Sequence, residues 1–210
     1  MMKYFFTLLW LAGGLLSSLA FAATDVALVT SLAGKVSRLG NSVDAFVKLK
    51  QGDQLMLEKD AKIQITYFQN GRQESWTGAG KLEIAGDESK PTGLAAPQIK
   101  QVPLVIVKQL ARTPALDSQG RAGVTRLRSI PTPDAIAKVE RIYQQMRTES
   151  TPEDLNPELF LLAGMLELQQ LERVEKTLLD LKEKQSNQPE VKMLISLYSR
   201  ALKDVKAVAH

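Results

Sequence analysis

Apolar residues recur along this chain with two different periods, and the change between them divides it into two structural regions. From Val26 to Ile84 the pattern alternates at period two and is punctuated by glycine, which is the signature of half-buried strands. Ile63, Ile65 and Tyr67 fall on one face of a strand, while Gln64 and Thr66 fall on the other. Asn70-Gly71 follows closely and readily takes the positive φ values of a tight hairpin turn, so the returning strand carries Trp76. Strands are predicted over residues 26–30, 35–39, 43–49, 54–57, 63–67, 73–77 and 81–84. Short strands at this spacing predict a small sandwich or open barrel.

From Thr132 the period becomes that of helices. Ala135, Ile136, Val139, Ile142, Tyr143 and Met146 form one stripe, on a helix that Thr132-Pro133 can start. A second helix opens at Asn156-Pro157-Glu158 and carries Leu159, Leu162, Ala163 and Leu166. A third, over about residues 171–184, presents Val174, Leu178 and Leu181. The fourth opens at Gln188-Pro189-Glu190 and presents Val191, Leu194, Ile195, Tyr198, Ala201, Leu202 and Val205. Such stripes are ordinarily core. The expected class is therefore α+β, a small all-β sandwich or barrel-like domain followed by a linker and α-helical hairpins.

The two regions are separated by residues 91–131, where Pro, Gly, Ser, Thr and basic residues predominate and a linker with one short helix ending at Leu110 is expected. Within it Leu104, Val105, Ile106 and Val107 need cover, from one of the two regions or from a partner.

At the start, Lys3 precedes an apolar run from Tyr4 to Leu16, and Ala20 and Ala22 flank Phe21. This is the layout of an export signal with an A-x-A site, so cleavage is expected after Ala22 and a periplasmic location follows. The alternative is an uncleaved signal that anchors the chain in the inner membrane. The assignments are residues 1–22 signal peptide, 23–90 β domain, 91–131 linker and 132–206 helical region.

Composition narrows the chemistry. The chain has no cysteine and a single histidine, His210. That removes thiol catalysis, cysteine-ligated metals, a lipoprotein anchor and any histidine-based triad. The formal net charge is +4 and falls by one with the loss of Lys3. The basic residues are uneven, since Lys100, Lys108, Arg112, Arg121, Arg126 and Arg128 share their segment with Asp117 alone. Such a strip can face anionic lipid, glycan or an acidic partner, or be a solvated connector. It has no interleaved aromatics to stack bases, and exported proteins seldom meet nucleic acid, so no nucleic-acid partner is expected.

Gly52-Asp53, with Glu58, Asp60 and Glu74, raises a metal or paired-carboxylate reading. Asp after Gly is ordinary turn chemistry, however, and the acids are not at calcium-loop spacing. Gly78-Ala79-Gly80 lacks the strand, third glycine and helix of a phosphate cradle, and reads as a bend or bulge. Trp76, with Tyr67 and Phe68, could supply an aromatic platform for a sugar ring or peptide, against the commoner role of core packing.

The order of motifs resembles a known family. Gly34-Lys35-Val36, Leu49 leading into Gly52-Asp53-Gln54-Leu55, an alternating strand ending at Asn70-Gly71, and then Gly80-Lys81-Leu82-Glu83-Ile84 is similar to the FecR-type β domain over about residues 25–86. The resemblance implies a periplasmic domain that binds proteins and regulates signalling, with no catalytic residues. Only Met1, Met2 and Lys3 precede the apolar run, so the cytoplasmic anti-sigma segment of the best-known members is not expected here. In the helical region, Pro157-Glu158-Leu159 and Pro189-Glu190-Val191 lie 32 residues apart. Helix pairs at that period resemble tetratricopeptide-type repeats, whose units average about 34 residues, and a plain bundle is the alternative.

Two functions are therefore expected to compete. The first is a non-catalytic protein-interaction module that scaffolds or regulates an envelope complex by holding an envelope or membrane protein. The second is an accessory protein that binds peptidoglycan or another glycan. An enzyme using two carboxylates is a distant third. No catalytic, cofactor or metal residues are assigned. The candidate partner-binding residues are Trp76, Phe68, Arg112, Arg121, Arg126 and Arg128.

Overall fold

The computed structural model describes residues 24–116, 122–123, 132–185 and 187–208. The expected export signal and His210 lie outside the described residues, as do Arg121, Arg126 and Arg128. The chain is α+β: two antiparallel sheets followed by helices.

The strands are β1 (Asp25–Ala33), β2 (Val36–Arg38), β3 (Asn41–Ser42), β4 (Lys48–Lys50), β5 (Gln54–Leu57), β6 (Lys62–Tyr67), β7 (Arg72–Thr77), β8 (Gly80–Ile84), β9 (Ser89–Thr92) and β10 (Gln98–Gln101). One sheet has the order β10-β7-β6-β1-β4, the other β3-β2-β5-β8-β9. After these come α1 (Leu104–Leu110), a small hairpin of β11 (Ala115–Leu116) and β12 (Ala122–Gly123), α2 (Pro133–Glu149), α3 (Asn156–Glu167), α4 (Leu171–Gln185) and α5 (Pro189–Val208).

Two cores organise the molecule, and the alternation of β1 and β6 sorts residues between them. Ala27, Val29, Ile63, Ile65, Tyr67 and Trp76 from the first sheet meet Val36, Leu55, Leu57, Leu82 and Ile84 from the second. On the other face of the first sheet, Leu28 and Phe68 belong to a separate core with residues of α1, α3, α4 and α5. The first sheet is thus covered on both sides, by a sheet and by helices.

Its helix-facing side also carries polar residues, and these are paired with one another. Thr30 Oγ1 donates to Gln64 Oε1 at 2.9 Å, Gln64 Nε2 donates to Ser75 Oγ at 3.3 Å, and Gln73 Nε2 donates to Thr66 Oγ1 at 2.9 Å. The pairing of β1 with β6 shifts between Val29 and Ser31, a bulge at Thr30. Just beyond it, the Glu190 carboxylate in the first turn of α5 accepts from Ser31 Oγ at 2.9 Å and from the Leu32 N–H at 3.1 Å. Asn156 of α3 donates to Gln64 Oε1 at 3.4 Å. Helices and sandwich are therefore joined by polar contacts as well as by the apolar core.

Several expectations change in detail. The strand predicted over residues 43–49 is divided, because the chain there crosses from the second sheet to the first. Val43 enters the sandwich core and Ala45 and Phe46 enter the helical one, with Phe46 at φ +65°. The β2–β3 connection turns on Leu39 and Gly40, both at positive φ as a two-residue hairpin of the primed type requires, and Leu39 is 89% exposed. Residues expected to form part of the linker also supply β10, which pairs with β7, while the short helix expected to end at Leu110 is α1, whose Ile106, Val107 and Leu110 are buried. The boundary drawn at residue 90 falls inside β9. Gly71 sits at φ +73° with the Val102 carbonyl where a Cβ would stand, so the β6–β7 turn also seats the chain entering α1.

The helical boundaries follow their caps. Thr132 Oγ1 accepts from the Ala135 N–H at 3.2 Å, and Pro occupies the first turn of α2 and α3. Successive helices pack in sequence order, α2 on α3, α3 on α4 and α4 on α5, while α1 packs on α3. Gly164 allows the α2–α3 approach, since a Cβ there would lie 2.8 Å from Val139 Cγ1. Gly164→Leu is expected to cost about 2 kcal/mol or more by overpacking, read as a lower urea midpoint at unchanged m-value.

Candidate interaction surfaces

The aromatic candidate Trp76 is core. It is 2% exposed, pairs across the sheet with Ile63, and its Nε1–H donates to Glu74 Oε2 at 2.9 Å. The fully buried Glu74 carboxylate is held from three directions. It accepts from Trp76, from Arg72 Nε at 2.6 Å, and from the Ser89 N–H at 3.2 Å. A buried charge of this kind is tolerable only when its lone pairs are satisfied, as they are here. The Glu74 hydrogen bond raises the Arg72 guanidinium above its ordinary value. Ser89 Oγ lies 2.6 Å from Tyr67 Oη, so this network ties β6, β7 and β9 together across the two sheets. An exposed platform built on Trp76 is not present.

Phe68 faces away from Tyr67, as alternation requires, and packs half-buried on the helical core. Arg112 is half-exposed and pairs with Glu167, which also accepts from Gln109 Nε2 at 3.3 Å, so its contacts join the end of α1 to α3. Lys100 and Lys108 lie on β10 and α1. The basic strip read from the sequence is therefore distributed over several elements in its described part.

The carboxylates are also dispersed. Asp53 Oδ2 accepts from the Lys50 N–H and from Arg38 Nη1, each at 2.8 Å, which is turn chemistry with an added ion pair. Glu58 lies 3.9 Å from Lys35 on the surface, and Glu74 is buried as described. Among the described residues, no group of three His, Cys, Asp or Glu side chains is placed to hold a metal ion. No described helix is long and apolar enough to cross a membrane.

One apolar surface on the helices was not singled out by periodicity. Between α4 and α5 runs a groove of about 600 Å³ with Leu178 and Leu202 at its base, half-buried Ile195 beside them and Leu179 on its wall. Leu179 is 59% exposed, which is unusual for leucine on a helix whose core stripe is Val174, Leu178 and Leu181. Lys182, Lys203 and Lys206 rim the groove together with Glu175, whose carboxylate lies 2.5 Å from Lys206 Nζ. The available signal in the sequence was Leu179 itself, an apolar residue adjacent to the stripe where a polar one was expected.

No protein-family model, no curated protein and no solved structure matches this chain. The fold and these surfaces are therefore the basis on which function is argued.

Because Trp76 is packed rather than presented, Trp76→Ala is expected to lower stability by about 3–5 kcal/mol, measured by denaturant titration. Burial also raises the Tyr67 and Tyr198 hydroxyls above their usual range, with Ser89 and Thr113 respectively acting in the opposite direction. A folded pKa above the unfolded value means stability is fully present below about pH 10 and is lost as pH rises further, by about 1.4 kcal/mol per unit for each tyrosine. Alkaline denaturation should show this slope, and Tyr67→Phe or Tyr198→Phe should reduce it.

Proposed function

We propose that this protein is a non-catalytic protein-interaction module that scaffolds or regulates a complex of the bacterial envelope. The observation that carries the reading is the α4–α5 groove, in which exposed Leu179 stands above an apolar base inside a rim of lysines. Grooves of this kind between adjacent helices accept an amphipathic helix from a partner, whose apolar face replaces water over the leucines. The in-sequence packing of the helices, which resembles the stacking of tetratricopeptide-type repeats, supports the same reading. The similarity to the FecR-type β domain and the export signal supply the compartment. The glycan-binding alternative loses its aromatic platform, because Trp76 is internal.

The test is photo-crosslinking in intact cells from a reactive side chain introduced at position 203, on the rim of the groove, in the full chain. One dominant envelope protein is expected in the adduct, and Leu179→Glu should abolish its recovery without lowering the denaturation midpoint. Recovery of cell-wall fragments without a specific protein would overturn the reading.

A further inference from the structure

A second cleft, about 770 Å³ in volume, lies where the sandwich meets α5. One wall carries Lys48 and Lys50 of the edge strand β4, and the other carries Lys192, Ser196 and Arg200 of α5. Phe46, Met193 and Leu197 supply its apolar lining. The acids within it are Asp25 and Asp44, and Lys48, Lys50 and Lys192 outnumber them even with Arg38, the partner of Asp53, and Arg200, which has contacts of its own, set aside.

The spacing of these charges suggests an extended ligand. Lys48 and Lys50 are alternate strand residues and so stand about 7 Å apart on one side of β4. Lys192, Ser196 and Arg200 recur every four residues, and the helix rises about 12 Å from the first to the last. That distance matches about four residues of extended chain. A single compact anion such as phosphate spans too little of that length to meet cations spaced this far apart. Carboxylates spaced along a peptide can each meet one cation instead, while an intervening apolar side chain covers the half-buried Val47 and Met193. Burial lowers the pKa of Lys48, with Asp25 acting in the opposite direction, so a carboxylate placed beside that ammonium would favour its charged form. Strand addition is not offered at Lys50, because its N–H is held by Asp53 Oδ2 at 2.8 Å and its carbonyl accepts from the Asp53 N–H at 3.1 Å. Recognition therefore depends on side chains.

We infer that this cleft binds an extended acidic segment of a partner protein, with carboxylates alternating with an apolar side chain between β4 and α5. The inference goes beyond the helical-groove reading, because it concerns another flank of α5 and holds whether or not that groove is occupied.

The test is fluorescence anisotropy of the full chain with a labelled Glu-Leu-Glu-Leu-Glu peptide. Saturable binding is expected, weakened by added salt. The double variant Lys50→Glu/Lys192→Glu should lose about tenfold or more in affinity. Lys182→Glu/Lys203→Glu, which alters only the α4–α5 groove, should leave it unchanged, so the two readings can fail separately. If the double reversal lowers the denaturation midpoint, Lys192→Gln serves in its place. Equal binding of Gln-Leu-Gln-Leu-Gln, no saturation by about 1 mM, or indifference to the Lys50 and Lys192 changes would overturn the inference. So would displacement of the peptide by equimolar inorganic phosphate, or binding of phosphatidylglycerol vesicles in preference to the peptide.

Discussion

The structure depends on one constraint: in the β10-β7-β6-β1-β4 sheet, the central strands β7, β6 and β1 are buried on both faces. On the sandwich side this follows from alternation, which places Ile63, Ile65, Tyr67 and Trp76 against the second sheet. On the helix side the burial is mixed. Leu28 and Phe68 contribute apolar area, while Thr30, Thr66 and Gln73 are buried polar groups that need partners. They have them, in short side-chain pairs within the sheet, so the helices can cover this face without leaving those groups unsatisfied. Glu190 adds a contact of the same kind at the margin, accepting from a strand N–H beside the Thr30 bulge.

This arrangement explains which parts of the fold were legible in the sequence. The helices were, because Thr132 and the prolines at 133, 157 and 189 mark their starts and an apolar stripe marks their buried faces. The strands flanking Asn70-Gly71 were, because one face of β6 is uniformly apolar or aromatic and the turn dipeptide announces the return strand. Gln64 and Thr66 gave the opposite impression, since polar residues alternating with aliphatics read as a solvated face. Their burial is set by helices that follow about ninety residues later, and nothing local announces it. Likewise β10 has no periodic signal in Gln-Ile-Lys-Gln, and only its pairing with β7 makes it a strand. Residues 43–49 read as one strand because five of the seven are apolar, yet those residues serve two cores as the chain changes sheets.

Of the candidate residues, the three that are described have structural roles. Trp76 is internal, Phe68 packs on the helical core, and Arg112 joins α1 to α3. The surfaces that carry the functional argument are instead built from residues with no motif, lysines and a leucine on helical flanks. Charge counting along the chain could not find them, because Lys48, Lys50 and Lys192 are brought to one cleft only by the docking of α5 on the sandwich.

Helix α5 is accordingly used on three sides. Val191, Leu194, Tyr198 and Ala201 form its buried stripe, Ile195, Leu202, Lys203 and Lys206 line the groove with α4, and Lys192, Ser196 and Arg200 face the sandwich. At about 100° per residue these stripes are interleaved in sequence but separate in space. Leu202 shows where they meet, since it belongs to the core and also forms the base of the groove. A change at Leu202 therefore mixes stability with binding. Leu179, Lys182 and Lys203 on one flank and Lys192 on the other project from the surface, and at those positions binding separates from folding.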